Sequence, residues 1–533
     1  KRFGKKTIAA KMTDVPGHTR GIVSPLYDAG LRFLHIGVNP DSKVPETPPV
    51  CIWRNSDGKE IVLMYQNGYG DDMILPDGKT AISINFTSDN HGPHTLEQVK
   101  TIYADLRKKY PDADIFASTL NAVAEDVIAM KQQLPVFTSE IGDTWIYGYA
   151  SSPQMMAQFR ALTRLYSDWI KTGKINPASD MAIDYAVRLG LVAEHTWGVD
   201  VTTYLKNWDK NDIDIFNASR NLPEFLFSEK SWKEKADNID KAIALLPENL
   251  RTEAQAAVDA IKTVSAKSIT KHDKAKEINE QGVLTFEPRN PKPEPRNSNK
   301  GVKMLAGEVA YQTYSQKDFD IFHKAYISRD KAWARMAFGK PGLENTKAQS
   351  ATLTAQTTNV AVSKAGKDKQ IDCLLSFPDH LAIDNRILPE QVNTHYVIHK
   401  DGSVEMTVSL INKPANRLPE AWWVSFYPSD IVSVFAEKSG YRVDIMDVVK
   451  GGNRQMHGID RYVDVVTTKG TIRITSLDAP VVSFGERNAI HYSTELPDLS
   501  KGIHFCLFNN LWGVNFNMWW EGSLVFRFKM EYK

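Results

Sequence analysis

Cysteine is scarce in this chain, with three residues among 533, and no two of them form a C-x-x-C pair. Cys51, Cys373 and Cys506 lie far apart, which argues against a thiolate metal site or a disulfide framework. At most one pair could form a disulfide, so cysteine usage leaves the cellular compartment open.

An excess of charge of one sign is also lacking, because 65 Lys and Arg residues stand against 64 Asp and Glu residues, a formal net charge of +1. This balance gives no electrostatic signature of a nucleic-acid or anionic-membrane partner. No apolar run approaches the roughly 18 residues of a spanning helix, so we expect no membrane span. The hydrophobic fraction of 42% is that of a folded globular protein, and the length indicates three or four domains.

Residues 1–148 alternate short apolar runs with polar or helical stretches. This alternation indicates an α/β layer or barrel with a mostly parallel sheet, in which polar residues just past the strand ends carry the chemistry. Because the first strand follows only six residues, we expect that further sequence precedes it and that the barrel lacks its N-terminal strands here. The predicted strands are residues 7–12, 33–39, 61–67, 81–86, 114–120 and 135–141, with a helix over residues 96–110.

The rest of the chain changes character twice. Over residues 149–275, apolar residues recur at steps of three and four, which predicts a helical-bundle domain. Residues 276–302 include the proline-rich and charged stretch EPRNPKPEPRNSNKG, which is typical of a linker or crossing loop. Over residues 303–533, hairpin turns at Asp401-Gly402 and Lys469-Gly470 predict a large antiparallel β-sandwich.

Two polar segments directly follow predicted strands of the first domain. In residues 13–19 (TDVPGHT), Asp14 could serve as a nucleophile or metal ligand with His18 beside it, or the segment could be only a turn. In residues 86–94 (FTSDNHGPH), Asp89 is a candidate general acid. His91 and His94 have H-x-x-H spacing, but on a loop this spacing is weak evidence for a metal, and two solvated loop histidines are the favoured interpretation.

Two further segments combine ligand-type residues with indoles. In residues 139–145 (SEIGDTW), Glu140, Asp143 and Trp145 could line a sugar subsite, or Asp143 could cap the next segment. In residues 193–198 (AEHTWG), His195 has a carboxylate and the stacking indole of Trp197 beside it, although a lone histidine is usually structural.

The segment 509–520 (NNLWGVNFNMWW) holds three Trp and four Asn residues. Indoles stack on sugar rings and amides bind hydroxyl groups, which makes Asn510, Trp512 and Asn515 candidates for a carbohydrate-facing loop. Packing in the sandwich core is the alternative.

Taken in order, these motifs resemble the α-mannosidases of glycoside hydrolase family 38. Residues 14–19 are similar to the family's Asp-Pro-Phe-Gly-His-Ser segment, with one residue inserted between Asp and Pro. Residues 88–90 resemble its acidic loop, residues 194–195 its helical-domain histidine region, and residues 509–516 its C-terminal Asn-Trp-Asn-Phe loop. The strings TDVPGHTRGIV and AGLRFLHIGVNP resemble more closely an uncharacterised branch of bacterial and fungal family-38-like proteins.

The resemblance implies a divalent metal, normally zinc, with Asp14 as nucleophile and metal ligand, His195 as metal ligand and Asp89 as acid/base. The family's N-terminal His-x-Asp ligand pair does not precede Asp14, and the spacing recurs only at His399-Lys400-Asp401, on a predicted hairpin turn. Either that pair lies upstream or in a companion chain, or this branch has lost the site. We favour the first interpretation.

These inferences predict a metal-dependent, retaining, exo-acting glycoside hydrolase that acts on an α-linked sugar of an oligo- or polysaccharide. A zinc-dependent carbohydrate deacetylase or a polysaccharide lyase is the alternative enzyme, and His91 and His94 would discriminate it by converging on a metal with Asp14. A non-catalytic glycan-binding protein is the third interpretation. A polysaccharide-processing role favours secretion or a periplasmic location over the cytoplasm. The sequence leaves open whether the protein forms a homo-oligomer.

Overall fold

The computed structural model describes residues 6–87, 91–143, 145–262, 264, 266, 268–270, 273–288, 302–381 and 383–533. The chain divides into two compact units. The first comprises residues 1–143 and 447–452, and the second comprises residues 144–446 and 453–533. This division into units does not test the predicted domain boundaries after residues 148, 275 and 302, which stay predictions.

The first unit is built on a five-stranded mixed sheet in the order β1-β2-β4-β3-β7. β1, β2 and β4 are mutually parallel, whereas β3 runs antiparallel to β4 and parallel to β7. Its described elements are β1 (Ala9–Asp14), α1 (Val23–Asp28), β2 (Phe33–Val38), β3 (Val50–Arg54), β4 (Glu60–Asn67), β5 (Met73–Ile74), β6 (Ala81–Ile82), α2 (Leu96–Lys109), α3 (Leu120–Ala129) and β7 (Val136–Phe137).

Every residue of β2 is buried because apolar groups cover both faces of the sheet. Phe33 packs in a cluster with Val127 of α3, whereas Leu34 packs in a second cluster with Val23 of α1. The carboxyl ends of β1, β2 and β4 lie at one edge of the sheet, since the three strands are parallel and in register. Polar groups that follow these strands are therefore neighbours in space.

Three strand predictions for this unit need correction. The predicted strand 114–120 is wrong, because the chain is irregular there and Phe116 is 72% exposed. Thr119 instead caps α3, its side chain accepting a hydrogen bond from the backbone of Ala122. Only the two residues of β6 form a strand in the predicted segment 81–86, and β3 was not predicted.

The second unit begins with a helical region, in which α4 packs on α10 and α5 packs on α9. The side chains of Leu162 and Trp169 on α4 are buried, as the helical period of this segment predicts. None of the described helices is long and apolar enough to cross a membrane. The helices are α4 (Pro153–Lys171), α5 (Asp180–Gly190), α6 (Val201–Tyr204), α7 (Ile213–Ser219), α8 (Pro223–Ala236), α9 (Asn238–Ile243) and α10 (Glu248–Lys262), followed later by α11 (Gln316–Tyr326) and α12 (Ala332–Ala337).

Two antiparallel sheets make up most of the remaining chain, one of seven strands and one of nine. Their strands are β8 (Leu284–Phe286), β9 (Met304–Thr313), β10 (Ala351–Thr354), β11 (Gln356–Ala365), β12 (Asp368–Ser376), β13 (Gln391–Ile398), β14 (Val404–Lys413), β15 (Glu420–Pro428), β16 (Ile431–Lys438), β17 (Tyr441–Asp444), β18 (Met456–Gly458), β19 (Tyr462–Thr467), β20 (Gly470–Ser476), β21 (Val481–Phe484), β22 (Ile503–Asn509) and β23 (Gly522–Tyr532).

Side chains from both sheets share one apolar core, in which the rings of Phe426 and Phe505 from one sheet pack against that of Phe528 from the other at tilted and edge-on angles. This arrangement is consistent with a β-sandwich, and the prediction of large antiparallel sheets is confirmed. Both predicted hairpins form, between β13 and β14 and between β19 and β20. The predicted linker, residues 276–302, includes β8, which pairs with β9. Residues 289–301 of this segment lie outside the described residues.

Candidate functional site

Asp14 ends β1 at the carboxyl edge of the first unit's sheet, with φ of 84° in the left-handed region. Its Oδ1 accepts two hydrogen bonds of 2.9 Å, one from the amide of Asn39 and one from the phenol of Tyr69. Asn39 follows β2 and Tyr69 follows β4, so residues at the ends of three parallel strands meet at one carboxylate. This is the position in which an α/β sheet presents a nucleophile or a ligand.

Glycines place Tyr69 against Asp14. Gly68, Tyr69 and Gly70 have consecutive positive φ values of 69°, 68° and 121°, which fold the chain back over the sheet edge. A Cβ atom on Gly37 would lie 2.4 Å from the carbonyl oxygen of Tyr69, so only glycine fits below this loop. Asn39 and Tyr69 were not predicted from the sequence, although the Gly-Tyr-Gly string after a buried strand is a signal that points to Tyr69.

A polar chain crosses the sheet beside this carboxylate. The Nζ atom of Lys11 donates to Nδ1 of His35 at 2.6 Å and to the carbonyl oxygen of Tyr69 at 2.9 Å, and Nε2 of His35 donates to Oε1 of Gln66 at 2.8 Å. Burial lowers the pKa of Lys11 to about 8. Burial, aided by the Lys11 charge, lowers the pKa of His35 to about 4, so this imidazole is neutral and accepts from Lys11. The contacts of Lys11, His35 and Gln66 were not predicted from the sequence either.

His18 and Glu140 are both held by contacts within the first unit. The backbone groups of His18 and Ile141 exchange hydrogen bonds of 2.9 and 3.1 Å, and Nε2 of His18 donates to the carbonyl of Val15 at 3.1 Å. Burial lowers the pKa of His18 to about 4. Oε1 of the buried Glu140 accepts from the hydroxyl of Thr19 at 3.0 Å and from the backbone of Arg20 at 2.7 Å.

The remaining predicted residues of this unit differ in their surroundings. Asp143 is buried, and a Cβ atom on Gly17 would lie 2.7 Å from the Cβ of Asp143, so the PGH turn packs closely against it. His91 is exposed and His94 is half-buried. Asp89, the predicted acid/base, lies outside the described residues.

In the second unit, His195 stands between a carboxylate and an indole. Its Nδ1 lies 2.8 Å from Oε1 of Glu194, and its ring centroid lies 6.3 Å from that of the buried Trp145. Burial raises the pKa of Glu194, but the hydrogen bond with His195 and the charge of Lys235 outweigh this effect and bring it to about 2. Glu194 therefore stays ionised and fixes the tautomer of His195, as a carboxylate beside a ligand histidine does.

The predicted Trp and Asn residues of the second unit are buried. Trp197 packs edge-on against Phe516 at 5.1 Å, and its backbone N–H donates to Oδ1 of Asn515 at 3.0 Å. Trp512 packs against Phe338 at 5.3 Å. Asn510 is fully buried, its amide being bonded to backbone groups on every side. Packing within the chain therefore explains the burial of these Trp and Asn side chains. Their proposed contacts with a sugar stay predictions.

The described residues do not by themselves form a zinc site. Nowhere in the described ranges do three or more His, Cys, Asp or Glu side chains come together in a group that could hold a metal ion. Asp14 belongs to the first unit and His195 to the second, and each is bonded to groups of its own unit. Their ligand roles therefore rest on the sequence resemblance alone.

Comparison with known proteins places the fold. A family model described as a domain of unknown function (DUF5054) matches residues 149–406. No functionally curated protein matches the chain. An α-mannosidase from Enterococcus faecalis V583 aligns with 100% of this chain and 74% of its own, at 9% identity and a TM-score of 0.57. A putative mutarotase from Salmonella typhimurium aligns with 46% of this chain and 79% of its own, at 10% identity and a TM-score of 0.20, too low to indicate a shared fold.

The similarity to the bacterial α-mannosidase extends over the whole chain, so the two proteins share a fold. At this identity the likeness is one of architecture, and chemistry has to be argued from the site itself.

Proposed function

We propose that this protein is a glycoside hydrolase of the α-mannosidase-like type, which removes a terminal α-linked sugar from an oligo- or polysaccharide. The observation that carries the proposal is Asp14, a carboxylate at the carboxyl edge of a parallel sheet that two neutral donors hold in place. The fold shared with an α-mannosidase supports it. We further propose that the first unit is a family-38-like barrel and the helices α4–α10 a bundle.

The chemistry follows the retaining pattern. An oxygen of Asp14 forms a bond to the anomeric carbon while the glycosidic C–O bond breaks, and the leaving oxygen takes a proton from an acid, the role that the resemblance gives to Asp89. A water molecule, deprotonated by Asp89, then attacks the anomeric carbon. The bond between the sugar and Asp14 breaks, which releases the sugar and restores the Asp14 carboxylate. Asn39 and Tyr69 keep the nucleophile pointing to one position through both steps.

A divalent metal, with Asp14 and His195 among its ligands, stays a prediction of the resemblance, and no step above depends on it. Metal analysis of the purified protein and of its His195→Ala variant tests it separately from hydrolysis. We expect about one equivalent of zinc in the parent protein and a loss of it in the variant. Equal metal content in the two proteins would remove His195 from the ligand set.

The backbone at position 14 decides how the nucleophile should be tested. With φ of 84°, an alanine there would be strained, so loss of activity in Asp14→Ala could come from a changed backbone. Asp14→Asn and Asp14→Gly avoid this difficulty, since Asn and Gly adopt the left-handed region readily. Asp28→Asn is the matched control, because Asp28 is exposed and pairs only with Lys59 in the described contacts.

The experiment measures hydrolysis of a panel of aryl α-glycosides, with mannosides first. We expect Asp14→Asn and Asp14→Gly to lose activity by roughly a thousandfold or more, and Asp28→Asn to keep it. Added azide should restore product formation in Asp14→Gly as a glycosyl azide of inverted anomeric configuration, because azide enters the space of the missing carboxylate.

Four outcomes would contradict the proposal. Undiminished activity of the Asp14→Asn variant would show that Asp14 is not the nucleophile. Release of acetate from acetylated sugars without glycoside hydrolysis would indicate the deacetylase instead, and unsaturated products would indicate a lyase. Glycan binding without any turnover in the full panel would indicate a non-catalytic glycan-binding protein.

A further inference from the structure

A cavity of about 290 Å³ opens on the second unit, and its lining includes none of the candidate site residues discussed above. It lies along β9 and β10, beside the start of α11 and the loop that follows β21. Its lining residues are Gln312, Thr313, Tyr314, Asp318, Ser350, Ala351, Thr352, Arg487, Ala489, Ile490 and His491.

The sheet face beside this cavity carries a transverse row of polar residues. Glu308 on β9, Ser425 on β15, His504 on β22 and Ser483 on β21 stand directly opposite one another in the strand register, so their side chains share one face. The neighbouring residues along these strands, such as Phe505, point the other way into the apolar core. A polar row on the face opposite a core provides fixed hydrogen-bonding partners for a group lying over it.

Arg487 is the group that lies over this row. Its Nη2 donates to Oε1 of Glu308 and, at 3.1 Å, to the hydroxyl of Tyr427, and its Nε donates to the hydroxyl of Ser425 at 3.2 Å. Three partners hold the guanidinium in one orientation, with its charge offset by Glu308. Nη1 has no hydrogen-bond partner among the described residues, and Arg487 lines the cavity.

Asp318 supplies an acceptor to the lining of the cavity. Its Oδ2 accepts from the backbone and hydroxyl of Ser315 at 2.7 and 2.8 Å and also from the hydroxyl of Ser350. Its Oδ1 has no such partner in the described part of the chain. The lining therefore offers a preorganised donor and a preorganised acceptor.

Neutral polar side chains also line the cavity. The hydroxyl of Tyr314 donates to Oε1 of Gln312 at 2.9 Å, and Nε2 of Gln312 donates to the hydroxyl of Thr352 at 3.1 Å. Ala489 and Ile490 provide apolar surface, and the exposed His491 lies at the rim. The lining thus combines donors, acceptors and apolar surface, and it includes one guanidinium and one carboxylate.

We propose that this cavity binds one ring of a neutral sugar, as a saccharide site additional to the one proposed above. A ring with hydroxyl groups and apolar C–H faces fits such a lining, whereas an anion would face Asp318 and a cation would face Arg487. The volume is at the lower end of the roughly 300–1,000 Å³ of ligand sites, which suits a single ring. The inference rests on the lining of the cavity and stands whether or not Asp14 is a nucleophile.

The experiment follows the methyl groups of Ala351, Ala489 and Ile490 by methyl NMR while methyl glycosides of neutral hexoses are added to the whole protein. We expect saturable shifts of these three signals with at least one hexoside. Because the readout is confined to residues of this cavity, binding at any other site does not imitate it, and hydrolysis is not needed.

Two variants and one control make the result specific. Thr352→Trp places an indole in the mouth of the cavity and should abolish the shifts, whereas Val432→Trp adds the same bulk at an exposed strand position, 62% accessible, on the other sheet and should preserve them. Asp318→Asn keeps an acceptor for Ser315 and should weaken binding about tenfold through loss of a charged acceptor.

Other outcomes would overturn the inference. No shift at these methyl groups with any hexoside at 100 mM, or equal shifts in the Thr352→Trp variant, would show that no sugar enters the cavity. Shifts with inorganic phosphate or a uronic acid but with no neutral hexoside would show an anion site around Arg487 instead.

Discussion

The phenolic oxygen of Tyr69 lies 2.9 Å from Oδ1 of Asp14, and both residues have positive φ values, 68° and 84°. Two loops that each hold an uncommon backbone conformation thus meet through one hydrogen bond. Such conformations persist where surrounding structure determines them, and they concentrate at functional sites.

Tyr69→Phe tests what this hydrogen bond does. The ring should keep its edge-on contact with Phe86, whose centroid lies 5.0 Å away, so the fold should not change. If Asp14 is the nucleophile, loss of the donor should lower kcat for aryl glycosides roughly tenfold or more with little change in KM. An unchanged kcat would show that the Tyr69 hydroxyl is not needed to position the carboxylate. Asp28→Asn serves again as the unaffected control.

The left-handed conformation of Asp14 makes a prediction about stability that does not depend on activity. Asp14→Gly should retain the melting temperature of the parent protein more closely than Asp14→Ala does, because alanine at φ of 84° costs about 1 kcal/mol or more. Differential scanning calorimetry of the two variants measures the difference. Equal melting temperatures would mean that the β1 loop relaxes to another conformation.

Lys11 should react with acylating reagents at lower pH than an exposed lysine such as Lys100. Burial lowers its pKa to about 8, so near pH 8 about half of its amine is unprotonated and nucleophilic, and this fraction falls as the pH falls below 8. With limiting acetic anhydride at pH 8, we expect labelling of Lys11 to be roughly tenfold faster than that of Lys100, which is exposed on α2. Peptide mass spectrometry measures both rates. Equal rates over pH 7–9 would contradict the lowered pKa.

Asn510→Ala should destabilise the second unit strongly. The buried amide donates to three carbonyls, at distances of 2.9, 3.0 and 3.2 Å, and its oxygen accepts from the backbone of Glu420 at 2.9 Å. Alanine would leave these groups unsatisfied inside the protein, at a cost of roughly 3 kcal/mol. Thermal unfolding measures this cost, with Asn517→Ala, at a half-buried position in the same segment, as the control. A small effect accompanied by weaker glycan binding would favour a substrate role for Asn510.

The position of Asp14 could be predicted because a strand followed by Asp-Val-Pro-Gly fixes where the carboxylate lies along the chain. Its partners could not, because Asn39 and Tyr69 come from two other strand ends, and only pairing of β1 with β2 and of β2 with β4 brings the three together. Lys11 and His35 illustrate the same difficulty. They are register partners across parallel strands, and no spacing within one strand reveals such a pair.

The segment around Trp512 shows a different difficulty. Indoles and amides in one stretch suit a sugar-binding loop and a buried junction equally well, and composition does not separate the two. Here Trp512 is buried against Phe338, and Asn510 satisfies backbone carbonyls. The predicted strand 114–120 failed for a related reason, since its apolar residues have the strand pattern but no neighbouring strand pairs with them in the described structure.

The brief return of the chain to the first unit at residues 447–452 has a consequence for biosynthesis. Glu140 donates from its backbone to Asp447 at 2.9 Å and accepts from the backbone of Val449 at 2.9 Å, while Glu46 donates to Lys450 at 2.8 Å. During synthesis, these residues therefore lack their hydrogen-bond partners until some 300 to 400 further residues have been translated. A fragment that stops at residue 148 would emerge with these backbone groups uncovered, so the first unit reaches its final form only after most of the second has been synthesised.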